Sequence, residues 1–102
     1  KMINIPSTIA KTLVTIFDKN LFNDSLVVAN QLRKNNISTI LYPIVDEKLD
    51  KQLKYANKKN IPYVVIIGPE EASSGKVVLK DMKTGKQNKV DKQKLVEILR
   101  NK

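Results

Sequence analysis

The stretch YVVIIGPEEASSGKVVLKDM, residues 63–82, decides the fold of this chain. Its first part, YVVIIG, is apolar without interruption, which is typical of a strand that is buried on both faces of a sheet. A second strand-like run, KVVLKDM, begins directly after Gly75. A parallel crossover needs about a dozen residues or more, so this second strand is predicted to run antiparallel to the first.

The sequence before residue 63 alternates between strand-like and helix-like segments. The β-branched runs KTLVTIF and STILYPI predict two strands, within residues 11–17 and 38–44. Apolar residues at helical spacing follow each run and predict two helices, the first ending at Lys34 and the second near Lys59. This β-α-β-α-β order predicts parallel strands that are joined by crossover helices.

Polar residues near the helix ends are predicted to cap them. The loop DKNLFND offers several cap candidates for the first helix, Asn23 and Asp24 among them, and Asp46 is expected to cap the second, because such side chains accept hydrogen bonds from free backbone N–H groups. Asn36 and Asn60 follow the two helices and are expected in the left-handed conformation.

The rest of the chain predicts a β-hairpin and a last helix. The turn KTGK, in which Gly85 supplies a positive φ, leads into a short strand through Val90. Asp91 is expected to cap a final helix that turns Leu95 and Leu99 inward. The whole pattern predicts one α/β domain with three helices.

The composition narrows the possible functions. The chain has 102 residues, of which 41% are hydrophobic and 28% charged, as expected for one folded domain. Because it contains no Cys and no His, thiol nucleophiles and imidazole catalysis are excluded for this chain alone. The net charge of +9 favours nucleic acid or an anionic membrane as partner, and a bias towards Lys, Asn and Ile from an AT-rich genome is the alternative explanation.

The hydropathy and the first residues indicate where the chain works. No apolar stretch approaches the length of a membrane span, and the start does not have the pattern of a signal peptide. We therefore expect a cytoplasmic protein without a membrane partner. Because the chain does not begin with methionine, we expect it to be a piece of a longer chain, with residues 1–9 as a linker from something upstream and residues 10–102 as the folded domain.

Two familiar kinds of site fit the connection between the two central strands poorly. A phosphate-binding loop needs four residues between its glycines and a Ser or Thr after its Lys, but six residues separate Gly68 from Gly75, and Val77 stands in the hydroxyl position. Glu70 and Glu71 are adjacent, and adjacent side chains in a turn usually point apart, so they form a poor catalytic pair.

A third possibility is a surface that reads a nucleic-acid base. Glu71 lies just beyond the carboxyl end of a parallel strand, where open α/β sheets bind their ligands. Lys76 and Lys80 share one face of the next strand. A carboxylate can accept hydrogen bonds from base amino groups, and a lysine can contact phosphates or base oxygens. From the residues alone, a weak surface ion pair between Glu71 and a lysine stays equally open.

The second predicted helix carries a polar stripe with one aromatic residue. It consists of Lys48, Gln52, Tyr55 and Lys59, which share a helix face. The stripe is either a basic contact for an RNA backbone or a solvated face with a half-buried tyrosine. The acids at the start of this helix are expected to cap it, so no metal site is predicted.

The segment EKLDKQLKYANKKNIPYVVIIGPEEASSGKVVLKDMKTGKQ resembles the C-terminal anticodon-binding domain of class IIa aminoacyl-tRNA synthetases. It is most similar to that domain in histidyl-tRNA synthetase. The resemblance rests on the KLxKQLKYA helix, the NIPYVVIIG strand, the GxxE turn and the GKVxLKDM strand. It implies a five-stranded mixed sheet in the order 2-1-3-4-5, flanked by three helices.

The resemblance also implies a function. Such a domain grips the anticodon stem-loop, here of tRNA-His, while a separate catalytic domain uses ATP and magnesium to charge the tRNA. The resemblance implies that this catalytic domain lies upstream of the linker at residues 1–9. The domain itself then needs no cofactor and is non-catalytic, and the full-length ligase is expected to be a homodimer. Alternatives are the same module in a prolyl-, threonyl- or glycyl-tRNA synthetase, an accessory paralogue, or a stand-alone flavodoxin-like enzyme.

Particular residues inherit roles from the resemblance. Glu71 corresponds to the Glu that helps to read anticodon bases, and Lys80 to a basic residue that often joins it. The remaining candidate RNA contacts are Lys76, Lys48, Lys51, Gln52 and Tyr55.

Overall fold

The computed structural model describes residues 10–102, so the predicted linker at residues 1–9 lies outside the described part. The strands and helices are β1 (Thr12–Val14), α1 (Phe22–Lys34), β2 (Thr39–Leu41), α2 (Leu49–Lys58), β3 (Tyr63–Ile66), α3 (Pro69–Ser74), β4 (Lys76–Asp81), β5 (Gln87–Asp91) and α4 (Leu95–Arg100). One turn of 3₁₀ helix precedes α1 at Lys19–Leu21, and another precedes α4 at Lys92–Lys94.

The five strands form one sheet in the order β2-β1-β3-β4-β5. β1 pairs in parallel with β2 and with β3. The β3–β4 and β4–β5 pairs are antiparallel, because a short connection and a hairpin join these strands. The mixed sheet and its order are therefore confirmed.

The sheet separates two apolar clusters, which confirms that β3 is covered on both faces. On one face Val65 packs with buried residues of α1 and α4. On the other face Val64 and Ile66 pack with Ala56 of α2 and with Leu13 of β1. Successive side chains of a strand point to opposite faces, so a continuously apolar strand supplies both clusters.

The antiparallel half of the sheet is covered on one face only. Val77 and Leu79 of β4 are buried against α1 and α4. The alternate residues of β4 lie on the face of α2, which reaches only as far as Val78 and Met82. Between and around these two residues β4 and β5 expose a basic strip. We call this strip the open face, and it consists of Lys76, Lys80, Gln87 and Lys89, which cross-strand pairing places on one side of the sheet.

A fourth helix, α3, occupies the connection between β3 and β4, which was predicted as a turn from the sequence, so the structure has one helix more than the three expected. Gly68 lies at its N-cap, Pro69 is its first residue, and the carboxylate of Glu71 at the third position reaches back to accept a hydrogen bond from the N–H of Gly68. Gly75 ends the helix with a φ of 72°, a left-handed conformation that glycine adopts at little cost. The residues at its two ends stabilise this short helix, since none of its own residues is buried.

The predicted starts of the first two helices were also wrong. Asn23 and Asp24 lie inside α1, because the chain enters it through a 3₁₀ turn that Asp18 caps by accepting a hydrogen bond from the backbone of Asn20 at 2.8 Å. Asp46 lies too far before Leu49, the first residue of α2, to serve as its N-cap. A cap must immediately precede the first helical residue.

The outcome is mixed at the other helix ends and at the hairpin. Asp91 occupies the N-cap position of the last 3₁₀ turn, but its side chain makes no capping bond there and binds a lysine of β4. The left-handed asparagines are confirmed, with φ of 65° at Asn36 and 58° at Asn60. Gly85 has the predicted positive φ, 77°, in the hairpin turn.

Candidate nucleic-acid interface

Glu71 lies where the parallel half of the sheet meets the antiparallel half. Its Oε1 accepts a hydrogen bond from the backbone N–H of Gly68 at 2.8 Å, and its Oε2 is 3.1 Å from Lys89 Nζ. The hydrogen bond from Gly68 and, next to it, the one from Lys89 lower the pKa of this carboxyl below its ordinary value of 4.5. Glu71 is therefore an ionised acceptor at neutral pH, held by a partner at each carboxylate oxygen.

Gly68 allows this arrangement because it has no side chain. A Cβ at this position would lie 2.8 Å from Glu71 Oε1, which is closer than such atoms approach each other. The glycine thus lets the carboxylate reach the backbone N–H at the start of α3. Glu70, its neighbour in sequence, points to solvent, with 85% of its side chain exposed.

Lys89 is the residue of this site that the sequence did not single out. It lies on β5 opposite Val78, and its Nζ is 3.6 Å from a carboxylate oxygen of Glu70 as well as 3.1 Å from Glu71. The hydrogen bond to Glu71 and the charge of Glu70 raise the pKa of its ammonium. Counting residues outward in both directions from the Gly85 turn would have paired Lys89 with Val78.

The two predicted lysines of β4 lie on the open face on either side of Val78. Lys76 binds Asp91 across the hairpin, with Nζ 2.9 Å from Oδ1, and this pair lowers the pKa of the Asp91 carboxyl. Within residues 10–102, no carboxylate lies within salt-bridge distance of Lys80. Lys80 is therefore the cation of the open face with its full charge available to a ligand.

The structure places the predicted contacts of α2 away from this strip. The ring of Tyr55 packs edge-on against Tyr42, with centroids 5.4 Å apart, and Tyr42 directly follows β2 at the far edge of the sheet. Asn57, on the opposite flank of α2, lines a cavity together with Met82, which follows β4. Lys48 and Lys51 are exposed at the start of the helix. Any contact they make with RNA is separate from the open face.

Gln52 was predicted to contact RNA, and this prediction was wrong because its side chain is fully buried. Its amide Oε1 accepts from the N–H of Ile16 at 2.8 Å, and its Nε2 donates to the carbonyl of Ile16 at 2.7 Å and to that of Glu47 at 2.9 Å. Gln52 thus completes the hydrogen bonds of the chain where it leaves β1. With no exposed atom, it does not belong to a surface that binds RNA.

Comparisons with known proteins show the family of this chain. The family model described as "Anticodon binding domain" matches residues 8–102. The chain belongs to this family. A histidine–tRNA ligase of Clostridium tetani is 38% identical over 98 residues, which cover 96% of this chain and 22% of that protein. A histidine–tRNA ligase of Bacillus cereus is 46% identical over 65 residues, covering 64% of this chain and 15% of that protein.

Solved structures of the family have the same fold. The histidyl-tRNA synthetase of Nostoc sp. PCC 7120 superposes with a TM-score of 0.88 at 32% identity, covering 98% of this chain and 24% of that one. The RNA-binding domain of threonyl-tRNA synthetase from Cryptosporidium parvum superposes with a TM-score of 0.83 at 16% identity, which shows the shared fold alone. This anticodon-binding domain spans about a fifth of the length of the curated relatives it matches.

Proposed function

We propose that this chain binds the anticodon stem-loop of tRNA-His as the C-terminal domain of a histidine–tRNA ligase. The observation that carries the proposal is the ionised carboxylate of Glu71 beside the basic open face. The matched relatives are named histidine–tRNA ligases, which favours this function over the accessory paralogue.

In this proposal Glu71 reads the edge of an unstacked base. One oxygen is committed to Gly68 and the other to Lys89, yet each carboxylate oxygen has a second lone pair that can accept from a base N–H. Single-stranded loops splay out bases whose edges such a group can read. Lys80 then donates to a base oxygen or a phosphate, and Lys76 and Lys89 add attraction for the backbone.

The rest of the ligase supplies the chemistry. We place ATP, magnesium and histidine activation in a catalytic domain outside this chain, and we expect the whole ligase to be a cytoplasmic homodimer. Within residues 10–102, the acidic side chains form no group of three that could hold a metal ion. In the same range no helix is long and apolar enough to cross a membrane.

The test is a binding titration of the chain with an RNA stem-loop that carries a histidine anticodon. We expect the logarithm of the association constant to fall linearly with the logarithm of salt concentration. Glu71→Gln should reduce discrimination between this loop and loops with single anticodon changes, by roughly 5- to 150-fold at the base it reads. Glu70→Gln is the matched control and should leave discrimination unchanged.

Two results would contradict the proposal. The first is that the chain binds the histidine stem-loop no better than an unrelated stem-loop. The second is that Glu71→Gln and Lys80→Ala both leave anticodon discrimination intact in the full-length ligase. The second result would remove these residues from the site while leaving the domain its general affinity for tRNA.

A further inference from the structure

Phe17 is an exposed aromatic ring at the edge of the sheet where the parallel strands end. It follows β1 by a few residues, and 44% of it is exposed, whereas its neighbour Ile16 is fully buried. Single exposed aliphatic residues are ordinary on protein surfaces. An exposed aromatic ring at the edge where open α/β sheets bind their ligands is a candidate ligand contact.

Buried hydrogen bonds hold the backbone just before Phe17 in place. The amide of Gln52 binds both the N–H and the carbonyl of Ile16, at 2.8 and 2.7 Å. Ser25 Oγ donates to the carbonyl of Thr15 at 2.8 Å, and Thr15 Oγ1 donates to the carbonyl of Val65 at 2.9 Å. The structure therefore presents the ring from a well-anchored segment.

The ring also borders the carboxylate of Glu71. A Cβ placed on Gly68 would be 3.6 Å from Phe17 Cε2 and 2.8 Å from Glu71 Oε1. The ring and the carboxylate thus approach the same small volume beside one glycine. An apolar face and an anionic acceptor at one point are the two elements that recognise a flat heterocycle with N–H donors on its edge.

We propose that Phe17 is the stacking platform for the anticodon base whose edge Glu71 reads. This inference rests on the proposed function and specifies its pocket: the base lies on the ring of Phe17, and its amino or imino N–H points to Glu71. Stacking on an aromatic ring accepts every base, so Phe17 supplies affinity and Glu71 supplies selectivity.

The surroundings favour RNA over a protein as the occupant. Ile44 and Val45, which follow β2, are also exposed, at 49% and 38%, and an apolar protein surface could cover them together with Phe17. Such a surface would also desolvate the ionised Glu71, which is costly unless the partner brings a matching charge. A base pairs with the carboxylate through its own N–H groups, and the net charge of +9 attracts its phosphates.

The experiment uses the histidine anticodon stem-loop with 2-aminopurine placed at each anticodon position in turn, titrated with four forms of the chain. These are the unaltered protein, Phe17→Ala, Phe17→Tyr and the control Val27→Ala, which removes an apolar side chain that is 55% exposed on α1. Stacking quenches 2-aminopurine fluorescence, so the unaltered protein should quench one position strongly.

We expect Phe17→Ala to weaken binding by roughly 5- to 150-fold and to abolish the quenching, because base–aromatic stacking is lost. Phe17→Tyr should retain both, and Val27→Ala should change neither. Thermal unfolding of each variant checks that the fold persists, and Phe17→Tyr keeps the test decisive if Phe17→Ala unfolds, since a tyrosine without quenching would contradict the platform.

The inference and the proposed function fail in different ways. If the unaltered chain binds the stem-loop and Glu71→Gln loses discrimination, but Phe17→Ala binds and quenches normally, only the stacking platform is overturned. If the unaltered chain shows no preference for the stem-loop, both are overturned. Recovery of a protein partner that Phe17→Ala no longer binds, with RNA affinity unchanged, would also refute the platform.

Discussion

The parallel and antiparallel halves of the sheet differ in whether their polar residues are buried or accessible to solvent. In the parallel half, α1 and α2 cover both faces, and Gln52 is buried with all its polar atoms bonded to backbone. In the antiparallel half, only one face is covered, and Lys80 of the other face remains accessible. Both Gln52 and Lys80 were expected to contact RNA. The structure gives Gln52 a buried structural role and leaves only Lys80 accessible to RNA.

This difference locates function on the uncovered half. Helices that join parallel strands necessarily lie across the faces of the sheet, so they seal it. A hairpin needs no such helix, so β4 and β5 keep a solvated face on which lysines can meet phosphates. Glu71 stands at the boundary, because α3 follows the last parallel strand and its carboxylate reaches Lys89 of β5.

The largest effect is expected in the sealed half. Gln52→Leu keeps the side-chain volume but leaves the N–H and carbonyl of Ile16 without their partner. We expect the free energy of unfolding to fall by roughly 2–4 kcal/mol, because several buried backbone groups lose hydrogen bonds. Denaturant unfolding measures this, with Lys51→Leu on the exposed side as the matched control. If Gln52→Leu were as stable as the unaltered chain but bound RNA more weakly, the buried structural role of Gln52 would be wrong and a role in RNA binding would be supported.

On the open half, Lys80→Ala should change RNA binding and leave the fold alone. We expect about a tenfold loss of affinity for the histidine anticodon stem-loop and less than about 0.5 kcal/mol change in the free energy of unfolding. If Lys80 contacts a phosphate, the slope of affinity against salt should also fall by about one. Lys58→Ala removes an exposed lysine of α2 and serves as control. Equal losses in the two variants would show that only net charge matters.

At the boundary, Glu71 links the stability of the domain to pH. The folded carboxyl has a lower pKa than the unfolded one, so its stabilising effect is complete above the ordinary value of 4.5 and is lost as pH falls through the folded pKa. Glu71→Ala should cost roughly 1–2 kcal/mol at pH 7, because a charged capping bond and an ion pair disappear. Its free energy of unfolding should then vary less than that of the unaltered chain below pH 4.5. Parallel curves for the two proteins would contradict this link.

The smallest effect is expected at the pair Asp50–Lys54 on the outer face of α2. The two charged atoms are 3.8 Å apart, and about four fifths of each side chain is exposed. An exposed pair at this helical spacing contributes about 0.3–0.5 kcal/mol, which added salt screens. A double-mutant cycle with alanine at both positions measures the coupling. A coupling above about 1 kcal/mol would show that this face is less solvated than its exposure indicates.

Much of the fold followed from local patterns. The uninterrupted apolar run before Gly68 predicted a strand covered on both faces, and the short connection to the next run predicted its antiparallel direction. Asn36 and Asn60 predicted left-handed helix ends for the same local reason, since asparagine tolerates that conformation. The cap at Asp46 failed because α2 begins at Leu49, and the cap at Asp91 failed because its carboxylate binds Lys76 instead of a backbone N–H.

Much less of the site followed from local patterns. Glu71 was singled out by its place after a parallel strand and by resemblance, but its partner Lys89 belongs to another strand, and only the register of the hairpin brings them together. Gln52 shares a helix face with Lys48 and Tyr55, and no pattern of spacing says which of them a neighbouring loop will bury. Phe17 reads in the sequence as the last residue of an apolar strand.

The order of apolar runs, turns and short connections was therefore enough to determine one α/β domain with a mixed sheet, because strand direction and helix periodicity are local consequences of spacing. The tertiary structure decided which polar and aromatic groups are available. Burial and pairing depend on the elements that cover each position, and those elements come from distant parts of the chain. Gln52 is buried where it binds the backbone of Ile16 after β1, whereas Phe17 is exposed and Glu71 and Lys80 are partly exposed.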